Sequence, residues 1–215
     1  NHPLVVVSDL HLRSPQDKNY ELFLDFLSRL GPEVKYLVLN GDIFDFCFGW
    51  SSYFRNKFTS IGSSLEKLSQ LGVKVIYIHG NHELFLSKLG WKGVFFEKKY
   101  WHRVVLANNT SVAITHGDYL RAPWHYHVYK WCVSSWLTKV FFYLTPQAYL
   151  DRWALSLADV SRGQDFYQKL DHKAIIEKAH SWLQGSQCNH AVFGHYHVPY
   201  EQKFGDKWVL CVDSW

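Results

Sequence analysis

A layered α/β domain is predicted for this chain, and three observations predict it. Short β-branched or apolar runs alternate with amphipathic helical periods over the first half. Strand pairs replace that alternation in the second half. Five compact polar motifs each follow an apolar run: Asp9-Leu10-His11, Gly41-Asp42-Ile43-Phe44-Asp45, Gly80-Asn81-His82-Glu83, His116-Gly117-Asp118 and Gly194-His195-Tyr196-His197. Open α/β sheets place their sites beyond the carboxyl ends of the strands, so the same pattern locates a site.

The elements follow in order. Pro3 to Val7 reads as a buried strand ending at Ser8-Asp9. Leu22, Phe23, Phe26, Leu27 and Leu30 recur with a helical period and share one face. Tyr36 to Leu39 is a strand that delivers Gly41-Asp42. Leu65, Leu68 and Leu71 mark a second helical face, and Val73 to Ile78 a strand before Gly80-Asn81. Glu83 reads as a first-turn helix residue with a structural role. Val104 to Leu106 and Val112 to Ile114 flank Asn108-Asn109, a hairpin turn signal. Ala191 to Phe193 precedes Gly194-His195, and Trp208 to Val212 is the last strand.

Spacing exposes an insertion. Successive motifs are separated by 33 residues (Asp9 to Asp42), 39 (Asp42 to Asn81) and 35 (Asn81 to His116), but 79 separate His116 from His195. The excess falls at about 119–164, so residues 1–215 read as one domain carrying a helical insert. Tyr129, Trp131, Trp136, Leu137, Val140, Phe141 and Leu144 follow a helical rhythm, and Pro146 breaks it before a second helix toward Ser161. Between Tyr119 and Leu150 lie ten aromatics, three basic residues (Arg121, Lys130, Lys139) and no acid. Two readings stand. The helices bury their aromatics on the core, or they form a lid whose apolar face meets a greasy substrate or a membrane surface.

Composition sets the outer bounds. At 215 residues, 47% hydrophobic and 20% charged, the chain is long enough for a sizeable core. Its 23 Lys and Arg against 19 Asp and Glu suit an anionic substrate or surface and fall short of a nucleic-acid signature. Cys47, Cys132, Cys188 and Cys211 are scattered without a CxxC pair, which favours reduced thiols and a cytoplasmic setting. No signal-peptide pattern and no apolar run of about 20 residues is found, so no spanning helix is expected.

The five motifs together suit divalent metals. They offer carboxylate, carbonyl and imidazole ligands and no thiolate, which argues against a structural zinc cage. Asp9 and His11 alternate on an extended turn and can reach one ion. Asp42 can bridge two ions with its two oxygens. Asn81 adds a neutral carbonyl, and His195 and His197 can serve one ion each. A pair of metals lowers the pKa of a shared water and steadies the entering and leaving oxygens of a phosphoryl transfer. Manganese is expected first for a mixed oxygen and nitrogen set, with iron or zinc as other candidates.

With these motifs the chain resembles the calcineurin-like metallophosphoesterases over about 3–120 and 188–215. The resemblance implies a four-layer α/β/β/α sandwich. It implies Asp9, His11, Asp42 and His197 as ligands of one metal, and Asp42, Asn81, His116 and His195 as ligands of a second. It further implies that His82 donates a proton or hydrogen bond near the leaving group, with Asp45 orienting its imidazole. Within the family the chain is similar to the bacterial UDP-2,3-diacylglucosamine pyrophosphatases. Ser8 to Leu12, His116 to Asp118, the helical insert and the run from Asp151-Arg152 to Ser161-Arg162 carry that likeness. Substrate contacts are then expected from Asn81, His82, Arg121, Tyr126, Arg152, Ser161, Arg162 and His195. That subfamily has Arg at the place of His82, where this chain keeps the general family motif.

The leading expectation is a dinuclear-metal hydrolase of a pyrophosphate or phosphodiester, on UDP-2,3-diacylglucosamine or a related lipid-linked or nucleotide substrate, peripheral on the inner face of a membrane. A nuclease or cyclic-nucleotide phosphodiesterase is the second reading, and it lacks a basic groove beyond Lys57, Lys98-Lys99 and Arg103. A non-catalytic scaffold binding a partner through the insert is the third, and such scaffolds commonly lose ligands that this chain keeps.

Overall fold

In the computed structural model, which describes residues 2–120, 124, 128, 131–132, 135–146, 149–150, 152, 156 and 172–213, the early alternation builds one sheet and the later strand pairs a second. The first six strands are β1 (His2–Val7), β2 (Val34–Asn40), β3 (Cys47–Phe48), β4 (Lys74–Ile78), β5 (Glu83–Leu84) and β6 (Val94–Phe96). The later ones are β7 (Trp101–Val105), β8 (Ser111–Thr115), β9 (His190–Phe193), β10 (Tyr200–Phe204) and β11 (Lys207–Cys211). The described helices are α1 (Lys18–Arg29), α2 (Ser52–Lys57), α3 (Thr59–Gln70), α4 (Trp136–Leu144) and α5 (His172–Ser186).

The first sheet is parallel in the order β1-β2-β4-β6. The second is mixed, β10-β11-β9-β8-β7, with antiparallel hairpins at both edges and parallel pairs inside. Val38, Ile76, Ile78, Val104, Val112, Ile114 and Val192 form the core between the two sheets. Phe23, Leu27, Leu65 and Leu68 of α1 and α3 cover the outer face of the first sheet. Ile175, Ala179 and Leu183 of α5 cover the second through Ala191, Phe193 and Val209. The result is the expected α/β/β/α order. Because both faces of each sheet are covered, the inner strands are apolar without alternation, as β8 is with all its residues buried.

Two details of the helical faces differ from the pattern. Leu22 is 45% exposed and Leu71, the C-cap of α3, is 48% exposed. The buried stripe of α1 runs through Tyr20, Phe23 and Leu27, which keeps Phe23 and Leu27 from the expected face and turns it away from Leu22. Edge strand β10 and the short β3, β5 and β6 carry no strong local pattern, and pairing partners alone define them.

An aromatic cluster backs the turn after β2. The Phe44 and Phe58 rings stack at 3.9 Å, and Tyr20, Phe54 and Trp91 surround them at 6.1 to 6.5 Å. Helix α4 docks onto its rim, with Phe142 stacked on Phe48 at 4.2 Å and on Phe46 at 5.8 Å. Ser135 caps α4 by accepting from Thr138 N, and the helix stops at Leu144 before Pro146 as expected. Of the second insert helix only Tyr149, Leu150, Arg152 and Ser156 are described, and all four are helical.

Phe58 is fully buried, so Phe58→Ala should cost about 3–5 kcal/mol in urea denaturation through lost burial and the cavity left behind. A loss below about 1 kcal/mol would show that the stack is peripheral to stability.

Candidate metal centre

The ends of β1, β2, β8 and β9, and the turn after β4, all open at one side of the sandwich. There the structure gathers all seven expected ligand residues. Asp9, His11 and His197 offer ligand atoms within 4.8 Å of one another, as do Asp42, His116 and His195. His11, Asp42 and His82 form a third such group that joins them. Asn81 Oδ1 lies 3.2 Å from His116 Nε2.

Each carboxylate is held by one oxygen and aimed by the other. Asp9 Oδ2 accepts from Ser8 Oγ at 2.5 Å and from His195 N at 2.9 Å. Its Oδ1 has no hydrogen bond and lies 3.3 Å from His197 Nε2. Asp42 Oδ1 accepts from His82 N at 3.0 Å, while Oδ2 lies 3.4 Å from His116 Nε2 and 3.8 Å from His82 Nε2. Oδ1 is thus engaged by the main chain, and Oδ2 faces the imidazoles.

Local backbone makes this crowding possible. Asp9, His11, Asp42, His195 and His197 all adopt left-handed conformation, with φ between 49° and 70°. Non-glycine residues rarely do so, at a cost of order 1 kcal/mol each, and such strain clusters at functional sites. Two glycines make room without strain. A Cβ on Gly80 would collide with Asp42 Oδ1, and one on Gly194 with Ser8 Oγ and Asp9 Oδ2.

Charge is unevenly shared among these groups. Burial would raise the Asp42 carboxyl, but the His82, His116 and His11 charges hold it well below the usual carboxylate range. Burial resists charging His116, yet Asp42 and Asp9 outweigh it and push its pKa up to about 10. Burial and the neighbouring His116 charge press His195 down to about 4, and burial also lowers His11.

The donor set fits divalent cations. Asp9 Oδ1 is buried without a hydrogen-bond donor, and the Nε2 atoms of His11 and His197 face each other at 3.3 Å. Cations ligate such an array, and its atoms are all nitrogen and oxygen. Cys211 lies behind Gly194, with its thiol pushed up to about 12 by burial, so it stays a neutral packing group.

The partner of His82 takes a different form from the one expected. His82 Nδ1 donates to the main-chain carbonyl of Asp45 at 2.7 Å. The Asp45 carboxylate lies 2.9 Å from Arg13 Nε and 3.6 Å from His11 Nδ1. The contact of Asp45 with the ring is therefore through its backbone. A carbonyl can only accept, so the contact keeps a proton on Nδ1.

Among the expected substrate contacts, Asn81, His82 and His195 sit in the centre, and Arg152 is exposed. Arg121, Tyr126, Ser161 and Arg162 lie outside the described residues.

Sequence reasoning missed two residues of the centre. Glu83 is in β5, not in a helix, and is 2% exposed beneath the Asp42 turn. Asn40 crosses between the sheets: its Nδ2 donates to Thr115 O at 2.9 Å, and its carbonyl accepts from Ser8 Oγ and His116 Nδ1. A polar residue closing an apolar strand run was the available signal for Asn40.

The family model described as calcineurin-like phosphoesterase matches residues 2–199. A UDP-2,3-diacylglucosamine hydrolase of Haemophilus influenzae (strain PittGG) is 44% identical over 43 residues, which is 20% of this chain. The match spans only 18% of that enzyme's length. Among solved structures, a phosphopantetheinyl hydrolase from Mycobacterium tuberculosis superposes with a TM-score of 0.47 at 14% identity, covering 99% of this chain and 89% of the other. Chaetomium thermophilum Vps29 gives a TM-score of 0.49 at 8% identity, covering 100% of this chain and 72% of the other.

Gly80→Ala and Gly194→Ala should each weaken Mn²⁺ binding by about 10–100-fold in calorimetric titration, because the added methyl displaces a carboxylate. Gly185→Ala, where a Cβ meets nothing within 4 Å, serves as the control and should bind as the parent does. Equal affinity in all three would mean that Asp9 and Asp42 are not ligands.

Proposed function

The chain belongs to the calcineurin-like phosphoesterase family, and from that premise we propose that it is a metal-dependent hydrolase of a pyrophosphate or phosphodiester bond in a lipid-linked nucleotide. The substrate class is that of UDP-2,3-diacylglucosamine, cut to the lipid 1-phosphate and UMP. The observation that carries the chemistry is the gathering of Asp9, His11 and His197 in one group and of Asp42, His116 and His195 in another, joined by a third group of His11, Asp42 and His82.

Asp9, His11, Asp42 and His197 would hold one divalent ion, and Asp42, Asn81, His116 and His195 a second, manganese being the first choice. When bound, such a pair polarises a phosphoryl oxygen and makes water nucleophilic near neutral pH. The protein's own groups do the rest. Main-chain N–H groups of His82 and His195 fix the two carboxylates. The Asp45 carbonyl holds His82 Nδ1, which leaves Nε2 facing the centre. As an imidazolium, with one proton on each ring nitrogen, His82 would donate the Nε2 proton from there to the oxygen that leaves phosphorus and return to the neutral Nδ1–H form. The complete donor set favours an enzyme over a scaffold.

The lipid part of the reading is supported by the insert and by the short match to a UDP-2,3-diacylglucosamine hydrolase. Helix α4 leaves Trp136 67%, Leu137 60%, Tyr143 88% and Leu144 72% exposed. Beside it lies a cleft of about 400 Å³ lined by Phe48, Trp50, Arg55, Lys139, Phe142 and Leu150. Its apolar wall suits acyl chains, and Arg55 and Lys139 suit phosphate or an anionic membrane surface. No helix among the described residues is long and apolar enough to cross a membrane. A peripheral position on the cytoplasmic face of a membrane fits that arrangement.

With Mn²⁺ present, UDP-2,3-diacylglucosamine should be cut much faster than an aryl phosphodiester or single-stranded DNA. Faster cleavage of DNA would replace this reading with the nuclease. Asp42→Ala should abolish turnover, and His82→Ala should slow it by roughly 10²–10⁴-fold with metal content near normal. Equal loss of metal in both would remove the separate role of His82. Trp136→Asp or Phe141→Asp should hurt the diacylated substrate far more than the aryl ester, since each buried methylene is worth about 0.8 kcal/mol. Equal losses on both would limit the insert to a supporting role.

A further inference from the structure

Glu83 is a buried carboxylate that the proposed chemistry does not use. Its Oε1 accepts from Ile43 N at 2.9 Å, Phe44 N at 3.2 Å and Tyr77 Oη at 2.6 Å. Its Oε2 accepts from Asp42 N and Gly80 N, each at 3.2 Å. Four of these five donors are main-chain groups, and they belong to two turns that are 36 or more residues apart in sequence. One turn carries Asp42 and the other Asn81 and His82. A structural carboxylate needs a donor or two. This one collects the N–H groups of three consecutive residues that start at a left-handed Asp42, φ 50°, and ties them to the neighbouring turn.

Other contacts aim at the same register. His82 N donates to Asp42 Oδ1, and Cys47 N donates to His82 O at 3.1 Å. Glu83 sits beneath both turns, where it sets how far apart they lie. Its amide analogue would present one oxygen and one NH₂ group, and that NH₂ would face two N–H donors.

We propose that Glu83 is a positioning residue that locks the Asp42 and Asn81-His82 turns in the register needed for two ligand groups to share Asp42. Its catalytic consequence rests on the phosphoesterase reading, but its effect on the turns does not.

The test uses the full chain and the variants Glu83→Gln and Tyr77→Phe. Hydrogen exchange in metal-free protein should speed up at Asp42, Ile43, Phe44 and Gly80 in Glu83→Gln, with β2 and β4 unchanged. Mn²⁺ affinity should fall by about 10–100-fold, the usual range for a group that supports a ligand. Turnover of an aryl phosphodiester should fall with KM nearly constant. Tyr77→Phe lowers thermal stability but leaves all four main-chain bonds, so its Mn²⁺ affinity should stay within about threefold of the parent. A merely structural Glu83 predicts instead that affinity tracks stability in both variants, and that result overturns the proposal. So does parent-like exchange and Mn²⁺ affinity in Glu83→Gln. Should that variant not fold, Glu83→Asp draws the charge back by one methylene, and parent-like Mn²⁺ affinity there overturns the proposal in the same way. Altered exchange and Mn²⁺ affinity in Glu83→Gln, together with a parent protein that cuts no phosphoester, would leave the positioning role standing and remove the proposed activity.

Discussion

Asp9 and Asp42 bring two carboxylates to 1% and 2% exposure where the two sheets meet. Burying such an ion costs roughly several kcal/mol unless hydrogen bonds and opposite charge compensate it. Here the compensation is divided. One oxygen of each is satisfied by main-chain N–H groups from a partner motif, Asp9 by His195 and Asp42 by His82. The other oxygen points at imidazoles. A compact double-sheet core holds that division in place.

The strain sits in the connections. Five of the expected ligands lie in left-handed backbone, which only a surrounding structure that over-determines it can maintain. The strand ends before them are buried, at Val7, at 37–40 and at 191–193, and Asn40 links the end of β2 to the end of β8 with buried hydrogen bonds. Rigid strand ends therefore present the ligand side chains, while the left-handed turns spread them around a common point. The ordering entropy of a cation site is spent during folding rather than at binding.

The insert shows the opposite design. Helix α4 is anchored chiefly by Phe142, the one buried residue of its turns, while its other aromatics face outward. Lys139 lies 5.5 Å from the Trp50 ring and 4.8 Å from the Phe85 ring, so even its charge rests on aromatic faces. An apolar helix held mainly by the Phe142 stacks beside a cleft is suited to gripping something apolar. The core by contrast is suited to gripping charge.

Much of this was legible in the sequence because the relevant signals are local. An apolar run ending in Asp-x-His, Gly-Asp, Gly-Asn-His or Gly-His-x-His states its own strand, turn and ligand chemistry within a few residues. Chain order then predicts that these ends meet. What tertiary structure decided is which atom does what. Nothing local says that Asp45 meets His82 with a carbonyl while its carboxylate turns to Arg13, or that Glu83 sits in a strand below Asp42. Leu22 and Phe23 are neighbours of similar hydrophobicity, and only packing of α1 on the sheet chose Phe23 for the core. Strands β6 and β10 likewise exist through partners far away in sequence. Side-chain chemistry is written in the residues themselves, whereas the hydrogen-bond partners of buried groups depend on which segments the fold brings within 3 Å of each other.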